Sequence, residues 1–409
     1  MVSPEEAIRL VAAEARPLAP RRVPLLEACG RVLVEAIAAD GDFPPFPRAM
    51  MDGFAVRLSA AGRTLRVAGE VRAGDEPRCT VAEDACVEIL TGAPCPPGTE
   101  AVVQKERARV DGDLVSFPRR IEPGENVAPV GSDCRKGEVV LRPGETITPL
   151  AIAALASLGL ETVLVVPGVR LGAIVTGTEL APRGEPCGTA RIRDANGPML
   201  QALARATGLE PPALAHAGDD PEEILRAIER LEGCDVVVLS GGVSVGKYDF
   251  VPKALEDAGA SIVFHGVRQK PGKPLLLARK GRRIFFGLPG NPLASHFCFS
   301  RYVVRAIRGL EGRPPPPQLV GELERPVPAK PGRTHFVPAI ATSRQGGGAR
   351  WSLRPAPGSS SADVFGPAGA NAYLEVPPGS SEVSAAAELR FEWMPGAGIE
   401  GSREPAQGG

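Results

Sequence analysis

Residues 169–309 alternate between two kinds of apolar pattern, and this alternation restricts the fold more than any other feature of the chain. Runs typical of buried strands, among them "LGAIV", "DVVVL" and "RIFFGL", are separated by segments with the spacing of amphipathic helices. In one such segment, "DDPEEILRAIERLEG", Asp220 is the predicted N-cap, Pro221 the first residue and Glu223 the acid of a capping box. Another, "ANGPMLQALARATG", has Asn196 as its predicted cap. The order predicts a mostly parallel, doubly wound sheet with helices on both faces.

Two stretches before this α/β domain are interpreted as one mixed, elongated N-terminal domain, residues 1–43 with 139–168. Ser3, Pro4 and Glu6 predict the start of a helix, and "LLEACGRVLVEAIAAD" and "PLAIAALASLG" both have helical apolar spacing. Between them, residues 44–138 carry short strand-like runs separated by Gly, Pro and Asp. The Asp-Gly signal in "RVDGDLVSF" predicts a hairpin, and the segment is expected to be an inserted β domain.

The last part of the chain returns to strand-like texture. The α/β domain is expected to span residues 169–312, and the run "EGRPPPPQ" that follows it is typical of a stiff linker. Residues 318–396 are expected to form a β-barrel-like C-terminal domain, and residues 397–409 a frayed tail.

Charge and cysteine usage exclude several classes of function. The 409 residues carry a formal net charge of −1, which argues against broad electrostatic capture of nucleic acid or an anionic membrane, although a local basic pocket stays open. No signal peptide and no apolar run of about 20 residues is found. The eight cysteines include no C-x-x-C pair, which disfavours a zinc site. We expect a cytoplasmic protein with reduced thiols and with neither nucleic acid nor membrane as partner.

The stretch "SGGVSVGKYDF", Ser240 to Phe250, follows the strand "DVVVL". Its glycines can offer backbone N–H groups to an anion, but it lacks the spacing GxxxxGK[ST] of a P-loop. A carboxylate at Asp249 beside a phosphate would need a cation between them, which indicates Mg²⁺. The alternative is a glycine-rich turn in which Asp249 caps a helix. This stretch by itself favours neither the anion site nor the structural turn.

Three further stretches are expected at the same edge of the sheet, because ligands bind at the carboxyl ends of parallel strands. "TGTEL" adds the carboxylate of Glu179, "KPGKP" holds Lys270 and Lys273 on a proline-fixed turn, and "GLPGNP" opens a helix whose free N–H groups can bind an anion. Taken singly, each has an ordinary alternative: a solvated turn, an exposed basic turn or a capped helix. Together they indicate a phosphate-bearing ligand, a metal ion and room for a second oxyanion, but not the organic part of the substrate.

These motifs, with "PRAMMDGFAVR" and "LTGAPCPPGTEAVV" upstream, resemble those of the molybdopterin molybdenumtransferase family, which includes the C-terminal domain of gephyrin. The resemblance covers essentially the whole chain. The α/β domain by itself is also similar to the molybdopterin adenylyltransferases, and the "MDGFAVR" and "TGAP" segments separate the two. A catalytically inactive scaffold of the same fold is the other alternative.

The resemblance implies an elongated homodimer of four-domain subunits. It implies a reaction in which adenylylated molybdopterin and molybdate are substrates, metal is inserted into the dithiolene, and AMP is released with the help of Mg²⁺. The adenylyltransferase of the same pathway becomes a candidate partner. Nothing in the residues decides between molybdate and tungstate.

Site residues follow from the resemblance position by position. The catalytic set implied is Asp52, Thr91, Asp133, Glu179, Asp249, Lys270 and Lys273, with Asp249 and Glu179 as the metal ligands. The substrate-binding set is Asp194, Asn196, Asp219, Asp220, Ser240, Gly241, Gly242, Ser244, Gly246, Pro289, Gly290, Asn291 and Pro292. This chain departs from the family pattern at Pro47, Ala49, Ser132, Thr178 and His265.

Overall fold

The computed structural model describes residues 1–181, 184–185, 187–243, 250–343, 351–358, 360–379 and 382–397. The chain divides into two compact units. The continuous unit is Arg22–Val165, and the split unit is Met1–Arg21 together with Val166–Gly409.

The helices begin where the sequence supplies caps. In the first, the Oγ of Ser3 accepts a hydrogen bond from the backbone N–H of Glu6 at 3.1 Å, and the carboxylate of Glu6 accepts one from the backbone N–H of Ser3 at 3.4 Å, so the predicted capping box is confirmed. The α-helices of the described residues are α1 (Pro4–Glu14), α2 (Pro149–Ser157), α3 (Asn196–Ala206), α4 (Pro221–Arg230), α5 (Val251–Asp257), α6 (Pro292–Cys298) and α7 (Val304–Leu310). A π-helical turn, Phe299–Val303, joins α6 to α7. None of the described helices has the length and apolar content needed to cross a bilayer.

The continuous unit is built from short strands. They are β1 (Arg21–Pro24), β2 (Val32–Leu33), β3 (Ile37–Ala38), β4 (Arg48–Ala49), β5 (Gly53–Val56), β6 (Thr64–Val71), β7 (Ala85–Ile89), β8 (Ala101–Gln104), β9 (Arg109–Asp111), β10 (Leu114–Ser116), β11 (Val127–Ala128), β12 (Val139–Leu141) and β13 (Thr162–Val166). A six-stranded sheet has the order β8-β5-β7-β6-β10-β9, and a smaller one the order β1-β13-β2. The predicted hairpin is confirmed, because β9 and β10 pair antiparallel around Gly112 at φ 58°.

The helix predicted over "LLEACGRVLVEAIAAD" is wrong. The structure has a 3₁₀ turn, Leu25–Ala28, followed by β2 and β3. Gly30 has a φ of 76°, which ends the turn, and the backbone N–H of Leu33 bonds to the carbonyl of Glu145 instead of to its own segment. Leu33 and Ile37 are nevertheless buried in the apolar core beside α2. Their apolar spacing therefore reflects burial of these side chains and not a helix.

The split unit contains the doubly wound sheet predicted from the alternation. In chain order, the strands in this part of the chain are β14 (Leu171–Thr176), β15 (Leu180–Ala181), β16 (Ile192–Arg193), β17 (Ala213–Ala217), β18 (Val236–Ser240), β19 (Ser261–His265), β20 (Gln269–Lys270), β21 (Leu276–Lys280) and β22 (Arg283–Leu288). Six of them form the sheet, β15 and β16 form a separate pair, and β20 pairs with a later strand outside this sheet. The sheet order is β17-β14-β18-β22-β21-β19; β17, β14, β18 and β22 pair parallel, while β21 is antiparallel to both of its neighbours.

Side chains of the central strands alternate between the two faces, as the period of two requires. Val236 and Val238 pack in one core with α1, α3, α6 and α7, whereas Val237 and Leu239 pack in another with α4 and α5. Helices therefore cover both faces, which confirms the doubly wound fold.

A closed barrel follows the α/β sheet. Its strands belong to the set β23 (Leu319–Leu323), β24 (Val327–Pro328), β25 (Thr334–Ser343), β26 (Trp351–Pro355), β27 (Ala372–Val376), β28 (Glu382–Val383) and β29 (Glu388–Trp393). The order β25-β26-β23-β29-β27 closes through the pairing of β27 with β25, which confirms the barrel-like C-terminal fold. Arg301 and Arg305, from the helical segment, pair with the buried Glu392 of β29 at 2.7 Å each.

Two predicted caps differ in detail. Asp220 caps α4 as expected, but Glu223 accepts from the backbone N–H of Gly218 at 2.7 Å and so reaches beyond the cap residue. Asn196 is the first residue of α3 and not its cap. Its side-chain amide instead donates to the carbonyl of Gly290 at 2.7 Å. The side chain is therefore directed at Gly290 and makes no capping hydrogen bond to the backbone of α3.

Candidate active site

The carboxyl ends of β14 and β18 are fixed by buried hydroxyl groups. Thr176 and Ser240 end these strands and are 5% and 1% exposed. The Oγ1 of Thr176 donates to the carbonyl of Ser240 at 3.3 Å, and the Oγ of Ser240 lies 3.4 Å from that of Ser295. Because both strands run in the same direction, the loops that follow them leave from one edge of the sheet.

Gly241 brings the loop after β18 into close contact with its neighbours. It has a φ of 106°, and its N–H donates to the carbonyl of Leu288 at 3.1 Å. A Cβ at this position would lie 2.5 Å from the Oγ1 of Thr176 and 2.8 Å from its carbonyl oxygen, so only glycine fits. A Cβ on Gly290 would come within 3.6 Å of the Cα of Gly241. The turns "SGG" and "GLPG", both predicted to bind anions, therefore lie side by side.

The turn after β14 places two carboxylates in different situations. Asp219 accepts from the backbone N–H and the hydroxyl of Thr178 at 3.2 and 2.9 Å, so its carboxylate holds the turn. Glu179 is exposed; its backbone carbonyl accepts from the N–H of Ile192 at 2.9 Å, but its carboxylate makes no hydrogen bond or ion pair with residues in the described part of the chain. Its carboxylate is consequently available to a cation or a ligand.

Asn196 offers an unused acceptor at the same edge. The side chain is 8% exposed, and its Oδ1 has no hydrogen-bond partner among the described residues. Such a buried oxygen is costly unless something donates to it, which favours a ligand donor at this point. Asp194, two residues earlier, accepts from the backbone N–H of Gly197 at 2.8 Å and lies 3.2 Å from the Nε2 of His216.

A cavity of about 850 Å³ lies beside these groups, at the ends of β14 and β17. Its volume is in the range of sites for organic ligands. Polar groups of Thr178, Asp194 and His216 line it together with apolar side chains of Leu180, Pro198 and Leu214. His216 was missed in the sequence because an isolated histidine on a strand has no recognisable spacing.

Two predicted binding residues have local bonds. The Oδ1 of Asp220 accepts from the backbone N–H groups of Glu222 and Glu223 at 2.9 Å each. The amide of Asn291 donates to the Oγ of Ser361 at 3.1 Å. Their contact with substrate stays a prediction, as it does for Pro289 and for Pro292, which is the first residue of α6.

Lys270 and Lys273 are exposed and form no ion pair with the residues that the structure describes. Strand β20 pairs Lys270 with His335 of β25. Burial, and then the positive charges of Lys270, Arg333 and Lys330, lower the pKa of His335 below its ordinary value. Among the described residues, the charges that act on His335 are all positive. Lys330 and His335 were missed, although "KPGRTH" repeats the K-P-G beginning of "KPGKP".

The continuous unit holds Asp52 and Thr91 together. The Oδ1 of Asp52 accepts from both the Oγ1 and the backbone N–H of Thr91 at 2.7 Å. These two bonds lower the pKa of Asp52 below its ordinary value, with Lys105 adding to the effect. Asp52 is thus an ionised carboxylate of fixed orientation at neutral pH.

Asp133, the third predicted residue of this unit, pairs with an arginine that the sequence reasoning missed. The guanidinium of Arg48 lies 3.2 Å from its Oδ2. Both side chains line a cavity of about 410 Å³, together with Phe43, Phe46 and Gly92. The two residues are 85 positions apart, so no local spacing connects them.

The remaining predicted residues, Ser244, Gly246 and Asp249, lie outside the described part of the chain. Within that part, no group of three His, Cys, Asp or Glu side chains could hold a metal ion. Among the described residues of the sheet edge, the free oxygen ligands are the carboxylate of Glu179 and the Oδ1 of Asn196. This donor set suits Mg²⁺, which takes one or two carboxylates and completes its shell with phosphate and water oxygens.

Comparison with known families covers nearly the whole chain. Three protein-family models match the chain. "MoeA N-terminal region (domain I and II)" matches residues 2–159, "Probable molybdopterin binding domain" matches residues 172–309, and "MoeA C-terminal region (domain IV)" matches residues 320–392. The chain belongs to the MoeA family. The resemblance drawn from the motifs is thereby confirmed.

Individual relatives agree with this assignment. A molybdopterin molybdenumtransferase of Synechocystis is 32% identical over 85% of this chain and 88% of its own length. That of Bacillus subtilis is 32% identical over 92% of this chain and 90% of its own length. The crystal structure of a molybdopterin biosynthesis MoeA protein from Pyrococcus horikoshii OT3 is 29% identical, with a TM-score of 0.74 over 96% of this chain and 100% of that one.

Proposed function

We propose that this MoeA-family protein is a molybdopterin molybdenumtransferase, which inserts the metal of molybdate into adenylylated molybdopterin and releases AMP in a Mg²⁺-dependent reaction. The observation that carries the proposal is the sheet edge at which two apposed glycine turns, a large cavity and the free carboxylate of Glu179 occur together. The names of the relatives support the substrate class and the transferase activity.

Each group has a role that its chemistry supports. The backbone N–H groups after Ser240 and around Gly290 bind phosphate oxygens, and the Oδ1 of Asn196 accepts a hydrogen bond from the ligand. Lys270 and Lys273 neutralise the oxyanion. Asp194 and Asp219 hold the walls of the cavity in place through their bonds to Gly197 and Thr178.

Glu179 and Asp249 are the residues that would hold Mg²⁺, which when bound offsets the negative charge of the phosphoanhydride. A water molecule or an oxygen of molybdate attacks the adenylyl phosphorus, and the bond from this phosphorus to the bridging oxygen breaks, so that molybdopterin keeps its own phosphate. With water, AMP forms directly and the proton of the water goes to solvent; with molybdate, an adenylyl molybdate forms, and its hydrolysis gives AMP and returns molybdate. Asp52, Thr91 and Asp133 are proposed as further catalytic groups because Asp52 is a preoriented ionised carboxylate.

The decisive experiment measures AMP release from adenylylated molybdopterin and Mg²⁺, with and without molybdate. Molybdate-dependent AMP, with metal-bound cofactor as the second product, supports the proposal. Pyrophosphate made from ATP and molybdopterin would instead indicate an adenylyltransferase, and no product in either assay would indicate an inactive scaffold. Tungstate replaces molybdate in a parallel assay.

Single variants connect the assay to the site. Glu179→Gln and Asp249→Ala are expected to lower AMP release at least tenfold, because each removes a carboxylate from the Mg²⁺ site. Glu210→Gln, at an exposed position outside the lining of the cavity, is the matched control and is expected to keep wild-type turnover. Wild-type rates of AMP release in Glu179→Gln and Asp249→Ala, as in the control, would show that neither residue is a metal ligand.

We also infer a cytoplasmic homodimer that receives its substrate from the adenylyltransferase of the pathway, with the four-domain division predicted above. Family membership supports this inference. Sedimentation equilibrium tests it directly, since the expected mass is that of two 42.7 kDa chains. A monomer mass at micromolar concentration would contradict it.

A further inference from the structure

The residue directly before Lys270 is a buried glutamine whose side chain closes the lysine turn from within. Gln269 is 1% exposed. Its Nε2 donates at 3.1 Å to the carbonyl of Gly272, which lies between the two lysines. Its Oε1 accepts a hydrogen bond from the phenol of Tyr302, which is 0% exposed. The amide thus connects the turn to the helical segment beneath it.

Apolar packing does not require these polar groups. Tyr302 packs in the main apolar core with Phe297 and Cys298, where an unpaired amide or phenol would be unfavourable. The turn is pressed against the pair: a Cβ on Gly272 would lie 2.9 Å from the Nε2 of Gln269 and 2.4 Å from the Sγ of Cys298. The specific effect of the pair is therefore on the path of the backbone from Lys270 to Lys273.

Tyr302 lies in the π-helical turn Phe299–Val303. A π-helical turn in an α-helix is rare and is found frequently at functional sites. The π turn and the Tyr302 phenol bond therefore occur at the same place, directly below the lysine turn.

We propose that Gln269 and Tyr302 are a positioning pair that sets the spacing and direction of Lys270 and Lys273 toward the oxyanion. The inference rests on the proposed function, in which these lysines bind that oxyanion. Neither residue of the pair touches substrate; both act through the turn.

The test compares Tyr302→Phe and Gln269→Met with Tyr373→Phe. Tyr373 is also buried, at 4% exposed, and its hydroxyl lies 2.7 Å from the Nδ1 of His296; among the described residues it makes no hydrogen bond to residues 269–273, so it controls for the loss of a buried phenol bond. Each variant is assayed for the KM of molybdate, the KM of adenylylated molybdopterin and kcat, and sodium molybdate binding is titrated calorimetrically.

Loss of one positioning bond is expected to raise the KM and Kd for molybdate about three- to tenfold in Tyr302→Phe and Gln269→Met. The KM for adenylylated molybdopterin stays unchanged, and Tyr373→Phe matches the wild type in all three constants. An unchanged molybdate KM in both variants overturns the proposal, as does an equal effect on every constant. If Gln269→Met fails to fold, Tyr302→Phe, which lacks one oxygen only, decides alone.

Lys270→Ala and Lys273→Ala separate this proposal from the one on which it rests. A molybdate KM that these lysine variants leave unchanged shows that the proposed oxyanion role is wrong. Lysine variants that weaken molybdate binding, with Tyr302→Phe and Gln269→Met at wild-type values, show that only the positioning role is wrong.

Discussion

At the scale of single residues, one threonine controls the charge of the acid in the continuous unit. Thr91 directs two hydrogen bonds at the same oxygen of Asp52, and both stabilise the ionised form. Because the carboxylate is exposed, its orientation depends on these bonds and not on surrounding packing. The hydroxyl and the backbone N–H can be separated by substitution.

Thr91→Val keeps the shape and the backbone N–H of Thr91 but removes its hydroxyl. The pKa of Asp52 is expected to rise toward its ordinary value, because the hydroxyl bond is the largest of the effects that lower it. Carboxyl ¹³C NMR titration measures the change. Thr91→Ser retains the hydroxyl and is expected to keep the low pKa; an unshifted Asp52 in Thr91→Val would contradict this explanation.

His296 makes the split unit sensitive to acid. Burial lowers its pKa from 6.5 to about 4 in the folded protein. Between these pH values the unfolded chain binds a proton at His296 that the folded chain does not. The free energy of unfolding is therefore not reduced by His296 above pH 6.5, and it falls as the pH falls from 6.5 toward 4. In that range, His296 lowers the free energy of unfolding by about 1.4 kcal/mol for each pH unit of acidification.

The variant His296→Gln removes this titration. Its free energy of unfolding is expected to change less steeply than that of the wild type between pH 6.5 and 4, and the two slopes to agree above pH 7. Urea denaturation at a series of pH values measures both. Parallel curves over the whole range would show that His296 is already charged in the folded protein.

At the scale of elements, the glycine turns combine backbone strain with close contact. Gly241→Ala would place a methyl group against the Oγ1 and carbonyl of the buried Thr176. The expected cost is about 3 kcal/mol or more, since a positive φ and a steric clash add. Gly208→Ala, with a φ of 81° and open space around its Cβ, is expected to cost about 1–2 kcal/mol.

Denaturant midpoints of these two variants measure this difference in cost. Both variants carry the strain of a positive φ, which is larger for Gly241 at 106° than for Gly208 at 81°, so the clash and this additional strain together make up the difference between them. Equal losses would mean that Thr176 moves aside freely, which its burial and its bond to Ser240 oppose.

The elements that the sequence predicted well are those whose signals are local. Asp220 and Pro221 begin α4, and the continuous apolar run in "DVVVL" marks a strand buried on both faces. The helix predicted over residues 25–40 was wrong because backbone hydrogen bonds of this segment go to distant residues such as Glu145. Apolar spacing alone carries no information about such bonds. Local signals also located the glycine turns of the site.

The rest of the site depends on contacts between distant residues. Asp194 with His216, and Arg48 with Asp133, are 22 and 85 positions apart. The family resemblance supplied one member of each pair, and the fold was needed to supply the other. Asn196 was predicted as a cap because Asn is common there, whereas the carbonyl of Gly290 competes for its amide group.

At the scale of the whole molecule, the continuous unit begins and ends at neighbouring strands. Strand β1 pairs with β13, so the chain enters and leaves residues 22–165 at one place. This unit has its own apolar clusters around Leu33, Phe54 and Val87. Such an arrangement is typical of a domain that can fold alone.

Residues 22–165, expressed alone, are therefore expected to fold. The expected result is a dispersed ¹H–¹⁵N NMR spectrum and a single cooperative urea transition. Residues 40–165, which lack β1 and β2 and so leave β13 without its partners, are the matched control and are expected to be much less stable. A collapsed spectrum for residues 22–165 would show that this unit needs the rest of the chain.

The split unit has a further consequence, for the order of events during synthesis. Helix α1 is synthesised before residues 22–165, but α7, which packs against it, begins roughly 290 residues later. At ordinary translation rates that delay is roughly 15–60 s, long enough for residues 22–165 to fold first. Helix α1 therefore completes its packing only after α7 has been synthesised.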